Sequence, residues 1–383
     1  MRLIQIIPPN LAVVASTYGL ARYTYGLFLP DIRTDLELSS ATLGAIASGS
    51  YAAFLLATFI SSSITGRVGP RLPTVLGGLS AALGMLMIAL SPNSWLLAVG
   101  VFIAGTSPGW AYPAVPEAVA RTVPKKVQSQ TLTWINSGTG FGVLLAGPVA
   151  LWAGEAWRLA WVVFAIFALA ATTWNVKMLP RGGSNKAGTK LPRLRWSWFV
   201  CPRSGPLFLS ALVLGITTSV YWTFAVDFIV TSGSLQASIG KIFWTVVGVA
   251  GIAGAFAGDL VPRFGLRRTS RWTIVGQGVS ISLLALSPAS WPNLIGSALL
   301  FGAGFIMVTG LFAVWSVNVF YERPSAGFGA TFLLISLGQL VGPFIVGILI
   351  SQVGLALMFY AAAVLTVGAA FLQPKEEVWS AAP

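Results

Sequence analysis

Long apolar runs, separated by short polar breaks, make up nearly the whole chain. Crossing the hydrocarbon of a bilayer takes about 20 mostly apolar residues. Twelve stretches reach or approach that length: 8–30, 41–64, 72–91, 96–119, 131–152, 158–178, 205–230, 238–261, 270–288, 293–318, 327–350 and 355–372. Helices satisfy their own backbone in lipid, so the pattern predicts an all-α membrane protein of twelve transmembrane helices. The longest break, 179–204, holds Pro180, Pro192, Pro202 and a Gly182-Gly183-Ser184-Asn185 run. It predicts a linker between two six-helix halves, 1–178 and 205–383. Within it Trp196 and Trp198, beside Arg193 and Arg195, suit the headgroup layer as lipid anchors.

The two halves repeat each other at an offset of 196 residues. Ala89 to Trp95 (ALSPNSW) faces Ala285 to Trp291 (ALSPASW), and Gly19, Tyr25, Phe28 and Asp31 face Gly215, Tyr221, Phe224 and Asp227. Gly44, Arg67, Gly69, Arg71 and Gly100 face Gly240, Arg263, Gly265, Arg267 and Gly296. An even number of spans separates the copies, so they share one orientation, related by a parallel pseudo-two-fold along the membrane normal. Folds of this kind hold substrate near the midplane between halves and alternate access by rocking.

Composition agrees and narrows the reading. Hydrophobic residues are 56% of the 383, charged residues 9%, and mean hydropathy is +0.81. So few charges could not wet a soluble surface, which excludes a soluble enzyme. The net charge of +13 does not mark a nucleic-acid surface. With the N-terminus inside, all but four of the 23 basic residues (Arg22, Arg33, Arg158 and Lys241) fall in loops on the inner side. That asymmetry predicts a multi-pass plasma-membrane protein with both termini cytoplasmic. Near the N-terminus there is one charge, Arg2, and no small-residue cleavage pattern, so a cleaved signal peptide is not expected. There is no His, and Cys201 is the single Cys, which leaves no intrachain disulfide and no Cys/His zinc site. Proton traffic, if any, falls to carboxylates. There is no Walker motif and no clustered catalytic set. Neither enzyme chemistry, cofactor nor metal is expected.

A few polar residues sit where lipid or protein should be. Arg22 lies inside span one and is a functional candidate by its depth. Tyr18 and Tyr25, at i−4 and i+3, belong on its face of a regular helix. Two readings stand: an anchor for an anionic or polar substrate, or a structural partner of helix-end carbonyls or a carboxylate. Glu117, after Pro116, either pairs with Arg121 at i+4 or carries protons. Asp227 and Lys241 lie near the outer ends of spans seven and eight and suggest a gate pair. Trp110, Tyr112, Asn136, Tyr221, Trp222, Trp244, Trp315, Asn318 and Gln339 could complete a cavity, packing being the alternative for each. Breaks are expected in span four (Gly105 to Gly109, Pro113, Pro116) and span ten (Gly302, Gly304, Gly310), and discontinuous helices in matching places point to a transport site.

The loop Gly66-Arg67-Val68-Gly69-Pro70-Arg71 and its copy Pro262-Arg263-Phe264-Gly265-Leu266-Arg267-Arg268, after Gly258, resemble the loop motif of the major facilitator superfamily. With twelve spans and the repeat, the likeness covers nearly the whole chain. It implies the major facilitator fold, a central cavity lined by spans one, four, seven and ten, and a latching role for Arg67, Arg71, Arg263 and Arg267. The motif's Asp is absent, replaced by Gly66 and Pro262; Asp259, one turn before Arg263, is a possible substitute. Gly138, Gly140, Gly142 and Gly147-Pro148 in span five resemble the Gly-rich motif of proton-driven exporters, with Val143 standing where Gly is usual; span eleven repeats it as Gly338-Gln339-Leu340-Val341-Gly342-Pro343. The alternative is tight helix packing. Ala21 to Leu27 and Gly109 to Tyr112 resemble bacterial efflux-type members. The implied function is secondary active transport of a small organic molecule, as a monomer in a bacterial inner membrane, with protons as the expected coupling ion and a lean to export. Uptake or exchange of an organic anion held by Arg22 is the alternative, and a non-transporting membrane sensor a remote one.

Overall fold

The computed structural model describes residues 6–179, 182, 203–255, 260–321 and 324–374. Asp259, Arg323, Lys375 and the linker from residue 183 to 202, with Trp196 and Trp198, lie outside the described residues. Span one is built of three pieces: a helix Ile7–Val14, a stretch of wide i→i+5 turns Ala15–Tyr23, and a helix Leu29–Leu36. Spans two and three are Ser40–Val68 and Arg71–Ala89. Span four runs Ser94–Ala111 and resumes as Ala114–Thr122. Span five runs Lys125–Asn136 and resumes as Gly138–Ala153, and span six is Trp157–Met178. In the second half, spans seven to twelve are Ser204–Thr231, Ala237–Ala255, Leu266–Leu286, Trp291–Val319, Pro324–Val353 and Leu355–Ala369.

Local sequence explains where these helices begin and end. Ser39 and Asn93 cap spans two and four, accepting the amides of Thr42 and Leu96 at 3.1 and 3.0 Å. Gly69 and Gly265, the same position of the repeated loop motif, have φ of 82° and 79°. An L side chain is strained there, so both copies of the motif keep Gly at this turn.

The repeat is visible in the packing. Span four lies on spans two and three, span three on six, and span one on five; in the second half span ten lies on eight and nine, nine on twelve, and seven on eleven. The halves meet through span two on eleven and span five on eight, pairs that exchange under the pseudo-two-fold. Large apolar side chains such as Phe59, Ile166, Leu209 and Val364 face outward to lipid.

Two expectations about breaks are corrected. Span ten is one continuous helix from Trp291 to Val319. Two of its glycines make room for neighbours: Gly302 lies against the Val247 backbone and Gly304 against the Gln277 side chain, while Gly310 faces open space. Span one is discontinuous although its repeat mate, span seven, is a single 28-residue helix. Pro30 opens the last piece of span one, and Gly26 packs where a Cβ would collide with the Trp222 carbonyl oxygen. The expected interruption of span four is present at Tyr112–Pro113, below Pro108, which stays inside the helix.

Candidate functional site

Arg22 lies in the last turn of the wide-turn stretch of span one and is 6% exposed. Its guanidinium carbon lies 3.9 Å from the Phe54 ring centre, 4.9 Å from Tyr51, and 5.5 Å from both Tyr18 and Tyr23. Ring faces attract a cation, so four aromatics form a cage for it. Across the boundary between halves, its Nη2 donates to Gln339 Oε1 of span eleven at 2.8 Å. Among the described residues no carboxylate forms an ion pair with Arg22, and its buried Nε has no hydrogen-bond partner.

Around the cage the second half supplies a wall of rings. Trp222 of span seven stacks on Tyr23 at 4.4 Å between centres and meets Trp244, Phe301 and Phe305 edge-on at 5.3, 5.2 and 5.3 Å. The indole N–H groups of Trp222 and Trp244 are buried without a partner. On the other side, Tyr18 meets Tyr112 edge-on at 5.3 Å, and the Tyr112 hydroxyl donates to Asn136 Oδ1 at 3.1 Å. Arg22, Tyr18, Trp222, Trp244, Gln339, Tyr112 and Asn136 thus form one connected group.

Besides the contacts of Tyr51 with Thr223 and of Tyr23 with Gln339 at the cage, further polar contacts between the halves lie toward the face where span one meets span two. Arg33 grips Asp227 with two bonds, Nη2 to Oδ2 at 2.6 Å and Nε to Oδ1 at 3.2 Å, while its Nη1 donates to Ser40. Lys241 Nζ donates to the Gly154 carbonyl at 2.6 Å, and its charge also acts on Asp31. Glycines close this interface: Gly44 and Gly347 bring spans two and eleven together, and Gly140 and Gly147 bring span five against span eight. On the same face Arg158 pairs with Asp35 within the first half.

Several sequence candidates sit elsewhere than expected. Asp227 does not pair with Lys241; the helix Leu29–Leu36 swings Arg33 onto Asp227 and leaves Lys241 to a carbonyl. Tyr25 is not on Arg22's face. The turn after Tyr23 takes it away, and its hydroxyl donates to the Leu43 carbonyl at 3.2 Å. Tyr221 is locked into its own half, stacked on Phe301 at 3.6 Å and hydrogen-bonded to Ser297 at 2.7 Å. Trp315 likewise stacks on Phe312. Trp110 is half-buried, and its carbonyl accepts from Ser61. Glu117 pairs with Arg121 at 2.7 Å, partly exposed. Arg67 and Arg263 are exposed, Arg71 is half-buried beside Val68 and Val75, and Arg267 bonds Gln373 of its own half. The glycines of span five serve close packing: Gly142 meets Ala15 and Gly19 of span one.

The sequence reading missed Tyr23, Tyr51, Phe54 and Arg33. Tyr51 and Phe54 are one turn apart on span two, so a shared face was visible, but not what that face meets. Tyr23 is adjacent to Arg22 and so was not expected on its face, yet its ring centre lies 5.5 Å from the guanidinium carbon.

Comparison with known proteins bears on the fold and the family. The chain is 26% identical over 381 residues to the transcription regulatory protein OpdE of Pseudomonas aeruginosa, covering 94% of this chain and 91% of the relative. It is 25% identical over 354 residues to a chloramphenicol resistance protein of Streptomyces lividans, covering 88% and 86%. Among solved structures, the nucleoside transporter NupG superposes with a TM-score of 0.77 at 14% identity, over 97% of this chain and 98% of that one, a likeness of fold. The family model of the Major Facilitator Superfamily matches residues 11–334, and with that match over most of its length the chain belongs to this superfamily.

Proposed function

We propose that the chain is a secondary active transporter that moves a small organic anion by alternating access, with Arg22 as its anchor and protons as the coupling ion. Arg22 carries this reading. A guanidinium buried at membrane depth is costly, and this one has rings, an amide and an orphan N–H around it but no counter-ion among the described residues. An anionic ligand completes such a site; a cation would be repelled, and a neutral molecule would leave the charge uncompensated. The unpartnered indole N–H groups of Trp222 and Trp244 offer two more donors nearby.

Export is favoured by the Gly-rich fifth span and by the likeness to a protein named for chloramphenicol resistance. The inner-side excess of basic residues supports termini in the cytoplasm of a bacterial cell, so the face closed by Arg33–Asp227 is read as the outer one. Asp227 is the one fully buried carboxylate among the described residues and suits proton coupling better than the half-exposed Glu117. Its protonation would release Arg33 and loosen the gate. The test is thermal stabilisation of the purified protein by benzoate, tetraphenylphosphonium and glucose. Benzoate is expected to stabilise the wild type and not Arg22→Ala; stabilisation by the cation alone would sink the anion reading. A second reading, a non-transporting sensor, draws on the name of the regulatory relative. Ligand binding without flux in reconstituted vesicles would favour it.

A further inference from the structure

We infer that Gln339 is a built-in stand-in for the substrate: its amide oxygen takes the place of a substrate carboxylate on Arg22 whenever the carrier is empty. This rests on the anion reading above. The Arg22–Gln339 bond, 2.8 Å long and buried, is a polar contact that ties the halves together at the cage, beside that of Tyr51 with Thr223. An amide oxygen is the neutral side-chain group closest to a carboxylate oxygen in geometry and acceptor strength, and it carries no charge of its own. It can therefore satisfy Arg22 without forming the ion pair that would shut anions out. The amide is also within reach of the Tyr23 hydroxyl, which orients it.

The surrounding helix delivers Gln339 rigidly. Gly338 packs onto the backbone of Leu212 and Ile216 in span seven, and Gly342 onto Ile216 and Ser219. The Gly-Gln-x-x-Gly sequence of span eleven thus does two things: the glycines fix depth and rotation, and the glutamine presents an acceptor across the boundary. With the surrogate in place, the empty carrier holds the Arg33–Asp227 face closed. Without it, closing that face would bury a guanidinium with no polar acceptor. A substrate anion competes for the same Nη2, so binding and release exchange one acceptor for another.

The test reads the halves directly. Spin labels are placed through Thr34→Cys and Ser232→Cys in a Cys201→Ser chain, and distances are measured by double electron–electron resonance without any added ligand. Both sites are exposed, one in each half. In the Gln339→Ala chain the population closed at this face is expected to fall by about tenfold or more relative to the open one, the effect of losing a hydrogen bond to a charged group. In Gln339→Glu, where an ion pair replaces the bond, the closed population is expected to rise and benzoate to lose its stabilising effect. An unchanged distribution in Gln339→Ala, or a more open Gln339→Glu, overturns the stand-in. Failure of any anion to stabilise the wild type removes instead the substrate for which Gln339 substitutes, so the two readings fail separately.

Discussion

Arg22 and Glu117 are both charged residues within apolar stretches of sequence, yet the structure treats them differently. Arg22 is caged and buried, while Glu117 sits one helical turn from Arg121 and shares its charge with it. Such an i,i+4 pair contributes about 0.2–0.5 kcal/mol. Glu117→Gln is therefore expected to change thermal stability little and to leave pH-driven transport intact. Asp227→Asn is expected to abolish the response to a pH gradient in vesicles, because it removes the buried carboxylate and the grip of Arg33. A double-mutant cycle with Arg33→Gln should give a coupling of about 1.5 kcal/mol or more, as close charge pairs at interfaces do; additive effects would show that the pair carries no gate. Arg22 was legible in the sequence because a charge inside an apolar run has no ordinary reason to be there. Its partners were not, since facing between helices is set by packing that one sequence does not state.

At the scale of elements, length and hydropathy predicted the helices well: span six was expected over 158–178 and runs Trp157–Met178. Glycine was the ambiguous letter. In span ten Gly302 and Gly304 mark close approach within a continuous helix, and in span one Gly26 accompanies a true break. The ungapped repeat concealed that break, because the same residue count serves a regular span seven and a wide-wound span one. Gly26 tests the point. Gly26→Ala places a methyl group against the Trp222 carbonyl, an overpacking that typically costs about 1–3 kcal/mol. The expected result is a lower unfolding temperature and a lower cross-linking yield between Thr34→Cys and Ser232→Cys; unchanged yield would show that the two spans do not close on Gly26.

For the whole molecule, membership of the superfamily makes the chain a membrane transporter rather than an enzyme. The two halves pack alike, and their shared surfaces, span two on eleven and five on eight, are lined by glycine. The side proposed for each face rests on charge placement. Cysteine introduced through Glu155→Cys is expected to react with a membrane-impermeant maleimide on intact cells, and through Lys125→Cys only after lysis. The reverse pattern would invert the gate's assignment. Both positions are exposed.

The caged guanidinium also makes the protein an electrical device. In the proposed cycle a bound monoanion would neutralise the cage, whereas the empty cage holds the one positive charge of Arg22, which Gln339 solvates but cannot cancel. One elementary charge moving through the full membrane potential exchanges about 2.3 kcal/mol per 100 mV. Apart from any proton carried on Asp227, the field in the proposed cycle would then act on the return of the empty cage and not on the cage that holds an anion. A potential that favours one orientation of the empty carrier would set how fast the cycle resets, not how tightly the anion binds.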